Sequence, residues 1–118
     1  MKREIKFYKT KDGKCPVKEF IDTLPGKVAQ KIAWVLRLIE TQEKIPKTYF
    51  KNLTGTKIYE CRIEFSGNIY RILGQFYQGR FILLTNGFQK KTQKTPKDEI
   101  ELCNRRMADQ IKRGVMYE

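Results

Sequence analysis

Apolar and polar residues repeat along the chain with two different periods, and each change of period predicts where one element ends and another begins. The stretch from Lys2 to Tyr8 alternates with a period of two, which predicts a first strand. A short helix is expected to begin at Pro16 and to end at Pro25-Gly26. The inward face of that helix is predicted to consist of Val17, Phe20, Ile21 and Leu24.

A longer helix is predicted to follow Gly26 and to end before Pro46. Its apolar stripe, with Trp34 beside it, is expected to lie in the core and comprises Val28, Ile32, Val35, Leu36 and Ile39. From about Lys57 to Asn86 the period returns to two, which predicts three strands. Turn residues at positions 66–68 ("SGN") and 78–79 ("QG") join these strands as hairpins.

The last helix is predicted to have Thr95 as its N-cap and Pro96 as its first residue, and to end at Gly114. Asp98 and Glu99 fall in its first turn, where acidic side chains complement the helix dipole. Its inward face is predicted to be Ile100, Cys103, Met107 and Ile111. The order β-α-α-β-β-β-α predicts an α+β fold, with helices packed on a mostly antiparallel four-stranded sheet, in a single domain spanning residues 1–118.

The charge of the chain points to a polyanionic partner. There are 25 Lys and Arg against 13 Asp and Glu, a formal net charge of +12, which favours binding to nucleic acid. Four of the lysines fall between Lys90 and Lys97, directly before the predicted last helix. No apolar run approaches the roughly 20 residues that span a bilayer, and the first residues do not resemble a signal peptide. A cytoplasmic protein without membrane contact is therefore expected.

The absence of histidine limits the chemistry. It excludes Ser-His and Cys-His nucleophile pairs and removes the commonest general acid–base and metal ligand. Cys15, Cys61 and Cys103 are far apart and form no zinc pattern, so they are predicted to be reduced, apolar side chains. Any catalysis must depend on Lys, Arg, Tyr, Asp or Glu.

The register of the first hairpin brings two arginines together. A two-residue loop at Ser66-Gly67 pairs Arg62 with Arg71, and a loop shifted by one residue makes them diagonal neighbours. Like charges at about 5–8 Å destabilise a sheet unless something compensates them. Glu60 and Glu64, on the same face, are one source of compensation, and a bound phosphate is the other.

The second hairpin extends this row of charge. A Gln78-Gly79 loop places Arg71 opposite Asn86, with Lys90 and Lys91 just beyond. Three separated stretches of sequence then form one positive patch, in which the lysine-rich loop is a rim that faces phosphate. A helix or a partner must cover the apolar residues predicted on this face, which are Ile69, Leu73, Ile82 and Leu84.

The chain resembles the RelE/ParE toxin superfamily of bacterial type II toxin–antitoxin systems, in its phage-derived, HigB-like branch. The matching stretches are "DGKCPVKEFIDTLP", "KNLTGTKIYECRIEFSGNIYRIL", "FILLTNGFQKKTQKTPKDEIE" and the helix that follows, to Arg113. The resemblance implies a RelE-like fold and an RNase activity that cuts messenger RNA in the ribosomal A site. It also implies a cognate antitoxin, often with a helix-turn-helix part, that neutralises the toxin.

The resemblance carries over to particular residues. It implies catalytic roles for Arg62, Arg71, Lys90 and Lys91. Where many relatives have histidine near the Gly-Phe turn, this chain has Thr85-Asn86. The remaining residues predicted to contact RNA are Lys57, Asn86, Phe88, Thr92, Lys94 and Lys97. Phe88 is interpreted equally well as a base-stacking residue or as an anchor in the core.

RNA cleavage is possible without histidine, metal or cofactor because the 2′-hydroxyl of RNA is itself the nucleophile. Arg62 and Arg71 suit binding of the phosphate and stabilisation of its transition state. An arginine does not act as a base near neutral pH, so proton transfer is assigned to Lys90 or Lys91, whose pKa nearby cations are expected to lower. Such weak acid–base chemistry favours an enzyme that relies on the ribosome to align its substrate.

Three other functions stay open on the sequence. One is a non-enzymatic toxin of the ParE kind that inhibits DNA gyrase, and another is a module that binds RNA or the ribosome without cutting. The third is a phage or plasmid protein whose only role is to pair with its antitoxin. In each toxin case, an antitoxin segment is expected to lie against Leu73, Ile82 and Leu84 or in the neighbouring groove.

Overall fold

The computed structural model describes residues 2–114, which form three helices and one five-stranded sheet. In chain order the elements are β1 (Glu4–Phe7), α1 (Pro16–Asp22), α2 (Gly26–Thr41), β2 (Phe50–Asn52), β3 (Ile58–Phe65), β4 (Asn68–Tyr77), β5 (Phe81–Lys90) and α3 (Lys97–Arg113). The strand order across the sheet is β1-β5-β4-β3-β2. β1 runs parallel to β5, and the other neighbours are antiparallel. No helix within residues 2–114 is long and apolar enough to cross a bilayer.

The predicted α+β class and the mostly antiparallel sheet are confirmed, but the predicted number of strands is wrong. The fifth strand is β2, which pairs with β3 at the edge of the sheet and has only three residues. Three residues are too few to show a period of two, and this explains why the alternation gave no signal there. The strand matters for function because it places Lys51 and Asn52 beside the site described below.

Helices α1 and α2 cover one face of the sheet. Their apolar stripes bury Val17, Val28, Ile32, Val35 and Ile39 against Cys61, Ile63, Tyr70, Ile72, Ile82 and Leu84. Trp34 was predicted to lie in the core and is instead 52% exposed, with its ring edge-on to Tyr49 at 5.4 Å between centroids. Cys61 and Cys103 are buried free thiols and Cys15 is also free, as predicted, and burial raises the pKa of Cys61 to about 12.

Helix α3 covers the opposite face. It buries Cys103 and Met107 on Ile58, Leu73 and Leu83. Ile111 was predicted to face inward, yet it is 58% exposed, and the neighbouring Gln110 is buried in its place. The helix ends at Gly114 as predicted, with the left-handed φ of 70° that favours glycine.

The start of α3 differs from the prediction by one residue. Lys97 is the first helical residue and Pro96 is the N-cap, while Thr95 makes no capping hydrogen bond. The Thr95 hydroxyl instead donates to the carboxylate of Glu60 on β3. A side chain expected to stabilise a helix end therefore ties the lysine-rich loop to the sheet.

The first hairpin has the predicted register, and the second does not. Phe65 pairs with Asn68 and Arg62 with Arg71, as the Ser66-Gly67 loop requires. In the second hairpin the turn occupies residues 78–80, and a bulge between Leu73 and Gly74 shifts the pairing again. The partner of Arg71 is therefore Phe88 and not Asn86.

The three-residue turn changes which apolar residues share a face, because one extra turn residue reverses the facing of the residues that follow it. Ile82 and Leu84 lie under α1 and α2, whereas Leu73 lies under α3, and all three are fully buried. The helices of the chain itself cover these three residues, so an antitoxin segment does not lie against them, and the neighbouring groove stays the predicted antitoxin site. The bulge reverses the alternation once more, so Asn86 lies on the α3 face, opposite Leu73.

Gly74 is the residue on which the bulge depends. A Cβ atom built there would lie 2.4 Å from the carbonyl oxygen of Leu83 and 2.9 Å from Leu84 Cδ2. Gly74→Ala is expected to lower the free energy of unfolding by about 2 kcal/mol, because backbone must move to admit the methyl group. Urea denaturation measures this, with Gly26→Ala as the control, since nothing lies within 4 Å of a Cβ at Gly26. If Gly74→Ala and Gly26→Ala had the same free energy of unfolding, the backbone at the bulge would accommodate a methyl group without strain.

Candidate active site

A buried carboxylate holds two arginines together on the α3 face of the sheet. Arg62 on β3 pairs directly with Arg71 on β4, and Glu60 lies two residues before Arg62 on the same strand. The Nε atoms of both arginines are 3.8 Å from Glu60 Oε1. Glu60 and Arg71 are 2% and 3% exposed. Compensation of the arginine pair by Glu60, foreseen from the sequence, is therefore present.

Glu60 compensates the charge of the two arginines but does not satisfy all of their hydrogen-bond donors. Arg62 Nη1 donates to the Lys47 carbonyl at 3.3 Å, and Arg71 Nη1 donates to the Tyr70 carbonyl at 3.0 Å. The Nε atoms of both arginines are buried and have no hydrogen-bond partner among the described residues. A buried donor without a partner is costly, and the carboxylate oxygen nearest to these two, Glu60 Oε1, lies at 3.8 Å, beyond hydrogen-bond distance.

Two pockets open above this cluster, and we refer to them together as the basic groove. The arginine pocket has a volume of about 410 Å³ and is lined by Arg62, Glu64, Ile69, Arg71, Lys90, Lys91, Thr92 and Gln93. The neighbouring pocket has a volume of about 600 Å³ and is lined by Lys51, Asn52, Leu53, Thr54, Thr56, Glu60, Arg62, Lys90, Gln93, Lys94, Thr95 and Ile100. Arg62, Lys90 and Gln93 line both pockets, so the two volumes are continuous along one surface.

Lys90 is the last residue of β5, opposite Ile69, and is not a loop residue as the sequence had indicated. Burial lowers its pKa below the ordinary lysine value of 10.5, and repulsion from Arg71, Arg62 and Lys51 adds to this effect against the attraction of Glu60. Of the two lysines predicted to transfer protons, Lys90 lines both pockets of the basic groove, whereas Lys91 lines the arginine pocket alone.

Arg71 experiences the same two effects. Burial comes first and repulsion from Arg62 second, and together they lower the pKa of Arg71, while Glu60 and Glu64 oppose them. The folded protein therefore holds Arg71 in its charged form at a cost in free energy. A phosphate dianion or monoanion in the arginine pocket would relieve that cost, because an opposite charge nearby favours the charged form.

The other predicted contact residues divide into those that line the groove and those that do not. Lys91 and Thr92 line the arginine pocket, and Lys94 lines the neighbouring one. Lys97 is exposed on the first turn of α3 and lines neither pocket. Lys57 lines a separate pocket on the other side of the sheet, with Tyr59 and Phe76.

Asn86 and Phe88 have structural surroundings that the sequence did not resolve. Asn86 is 2% exposed, and its amide donates to the carbonyl of Glu99 at 3.2 Å and to Glu99 Oε1 at 2.9 Å. It therefore holds α3 on the sheet and is not free to contact RNA. Phe88 is half-buried against the apolar cluster under α3, which matches the interpretation of an anchor.

Sequence reasoning did not foresee the roles of several residues that line the groove. Glu60 was treated only as a neutralising charge, and Lys51, Gln93 and Thr95 were not assigned to the site. Alternation along β3 places Glu60 on the same face as Arg62, but its burial depends on α3 and the lysine-rich loop. Within residues 2–114, no group of three His, Cys, Asp or Glu side chains is placed to hold a metal ion.

Lys90→Met is expected to stabilise the free protein by up to about 1 kcal/mol at neutral pH, because it removes a charge that the fold disfavours. Since the folded-state pKa of Lys90 is lowered, the penalty is full below that pKa and disappears as the pH rises towards 10.5. The advantage of the variant should therefore shrink with rising pH in urea denaturation. Lys91→Met, at an exposed neighbouring position, is the control and should change stability by less than about 0.5 kcal/mol. If the stability advantage of Lys90→Met grew with rising pH, the lowered pKa of Lys90 would not be its cause.

Comparison with known proteins adds one match. A family model described as phage-derived protein Gp49-like matches residues 19–108. This range runs from within α1 to within α3, and it contains every residue that lines the basic groove. No curated protein matches the chain.

Proposed function

The chain belongs to the Gp49-like family of phage-derived proteins, within the RelE/HigB-type toxin superfamily, and from this premise we propose that it is the toxin of a type II toxin–antitoxin system. In this proposal it is a ribosome-dependent endoribonuclease that cuts messenger RNA and so inhibits translation. A cognate antitoxin neutralises it. The HigB-like branch and the RNA-cutting activity are parts of this proposal.

The observation that carries the proposal is the pair of buried arginine Nε donors without partners. They belong to Arg62 and Arg71, at the floor of a pocket whose rim carries Lys90 and Lys91. A guanidinium presents donors in a planar fork that matches the oxygens of a phosphate. For a protein that bound only a neutral partner, two desolvated donors at the floor of a cationic pocket would not increase the affinity.

The residues of the groove support a balanced cleavage step. The 2′-oxygen of RNA attacks the adjacent phosphorus, forming a bond from O2′ to phosphorus and breaking the bond from phosphorus to O5′. The products are a 2′,3′-cyclic phosphate and a free 5′-hydroxyl. The 2′-hydroxyl proton passes to the Glu60 carboxylate, and the Lys90 ammonium donates a proton to O5′. Arg62 and Arg71 stabilise the charge that develops on the phosphoryl oxygens.

The lowered pKa of Lys90 suits its part in this step, because proton donation is most effective when the pKa of the acid approaches the working pH. Glu60 is the one carboxylate in the lining of the larger pocket. Its Oε2 accepts from Thr95, while Oε1 faces the two arginines. Glu60 and Lys90 line the same pocket, which supports their assignment as base and acid of one step.

Dependence on the ribosome follows from what the groove does not supply. The arginines bind a phosphate, but cleavage also requires the 2′-oxygen in line with the bond to O5′, and the open groove does not impose that geometry on a flexible strand. Alignment of reacting groups is worth several kcal/mol of barrier, about 7–11 kcal/mol in favourable cases. A ribosome that holds the messenger in one conformation would provide it.

Primer extension on a defined messenger in a reconstituted translation system tests the proposal. The protein is incubated with the messenger in the presence and absence of ribosomes. Cuts that appear only with ribosomes are the expected result. An intact messenger in both reactions would reject the nuclease, and inhibition of gyrase supercoiling by the same preparation would then identify a toxin of the ParE kind. Messenger that is bound and left uncut would identify a binding module.

A further inference from the structure

A cluster of aromatic side chains lies on the other face of the sheet, around the edge strand from the basic groove. We infer that the aromatic platform, which we define as Phe50, Tyr59 and Phe76, stacks a base of the same single-stranded RNA whose phosphate occupies the groove. This inference rests on the proposed function and extends it by naming a further substrate contact. Lys57, which faces away from the arginines, belongs to this second contact.

The three rings form one cluster. Phe50 and Tyr59 are stacked at 4.9 Å between centroids with an angle of 15°. Phe76 meets Tyr59 edge-on at 5.2 Å and Phe50 at 6.3 Å. Phe50 is 8% exposed, so it supports the others from below, whereas Phe76 is 39% exposed. An aromatic side chain held rigidly by two others, with its surface in solvent, is a prepared stacking site.

Basic side chains surround the platform. Two shallow pockets of about 340 Å³ and 350 Å³ lie over it, and both are lined by Asn52, Tyr59 and Phe76. Lys57 lines the first, while Lys47 and Lys51 line the second. Among residues 2–114, no acidic side chain lines either pocket. Aromatic surface combined with unopposed cations is the composition of single-strand nucleic-acid sites, where the rings stack on bases and the lysines approach phosphates.

The platform and the basic groove are continuous around β2. Lys51 and Asn52 line the larger pocket of the groove and also the pocket over the platform. Thr56 lines the groove and the pocket beside Lys57. Because β2 has only three residues, a strand of RNA needs to pass only a narrow edge to reach both faces of the sheet.

A protein segment is the other occupant to consider, since an edge strand can accept a peptide as an added strand. The platform favours RNA over that alternative. β2 is too short to offer more than one or two ladder hydrogen bonds, and Phe76 is the only large apolar residue of the platform that is well exposed. The lysines at 47, 51 and 57 complement a phosphate backbone.

Binding is tested with an oligoadenylate that carries 2′-O-methyl groups throughout, so that no cleavage occurs. Fluorescence anisotropy compares an oligonucleotide of about a dozen nucleotides, long enough for both sites, with one of about four. Phe76→Ala is expected to weaken binding of the long probe by about fivefold to tenfold and to leave the short probe unchanged. Phe76→Tyr, which keeps the ring, should bind like the native protein.

Trp34→Ala is the matched control, because within residues 2–114 Trp34 is the other strongly exposed aromatic residue, and it lies on α2. Lys57→Gln, at an exposed position that does not affect packing, provides a second readout. It should reduce the slope of log affinity against log salt by about 0.7 for the long probe.

The outcomes separate this inference from the proposed function. Two results together would show that the platform does not contact RNA: Phe76→Ala and Trp34→Ala bind the long probe equally, and Lys57→Gln keeps the full salt slope. This conclusion would hold even if Arg71→Ala slowed cleavage. If ribosome-dependent cuts are absent but the long probe still depends on Phe76, the platform stands as an RNA contact and the nuclease is rejected.

Discussion

Arg71→Ala is expected to slow cleavage of ribosome-bound messenger by about 100-fold to 1000-fold. Arg71 is the more deeply buried of the two arginines, and its Nε has no hydrogen-bond partner in the free protein. Its substitution removes a desolvated positive charge from the lining of the pocket proposed to bind the phosphate. The loss should appear in the rate constant at saturating ribosome concentration, because charge on the phosphoryl oxygens develops in the transition state.

Arg71→Lys distinguishes charge from geometry. Lysine keeps the positive charge and loses the planar fork, so an intermediate rate is expected if the fork orients the phosphate. The matched control is Arg105→Ala, which removes an exposed arginine on α3 that lines neither pocket of the groove. Single-turnover cleavage followed by primer extension gives the rates. Equal rates for the native protein and Arg71→Ala would overturn the proposed mechanism.

Glu60→Gln is expected to lower the free energy of unfolding by about 3 kcal/mol. The substitution keeps the shape of the side chain and removes the carboxylate that faces both arginine Nε atoms at 3.8 Å. Arg62 and Arg71 would then lie side by side, largely desolvated, without their buried counter-charge. Breaking a buried ion pair from one side is strongly destabilising because the remaining charge has no partner.

A double-mutant cycle checks the cause of this loss. In an Arg71→Met background one of the two stranded charges is already absent, so Glu60→Gln should cost less than it does alone. Glu64→Gln, on the same strand and exposed, is the control and should change stability by less than about 0.5 kcal/mol. Urea denaturation of the five proteins gives the coupling free energy. If Glu60→Gln lowered the free energy of unfolding equally in the native and the Arg71→Met proteins, the carboxylate would not act through Arg71.

The sequence was most informative where a pattern is local. The stripes of α1 and α2, the end of α3 at Gly114 and the register of the Ser66-Gly67 hairpin were all predicted and are confirmed. Each depends on residues a few positions apart, whose periodicity or turn chemistry is visible in the chain. The pairing of Arg62 with Arg71 followed directly from that one turn.

The rest of the groove depends on contacts between distant segments, which local patterns do not contain. The three-residue turn at 78–80 sent Ile82 and Leu84 to the opposite face, and the bulge beyond them paired Asn86 with Leu73, where it holds α3. The three-residue strand β2 brought Lys51 to the groove. Trp34 is exposed because it lies on the side of α2 that faces away from the sheet. The helical period alone did not determine whether Trp34 faces the sheet or solvent.

The sequence by itself determined the order of most of the elements, the excess of positive charge and the two arginines that face each other on one hairpin. Only the tertiary structure decided that Glu60 is buried between those arginines, that Lys90 is partly desolvated beside them, and that Lys57 faces an aromatic platform on the other side. The physical reason is that periodicity assigns a residue to a face of its own element. Burial, desolvation and the availability of a hydrogen bond are set by what the other elements place over that face.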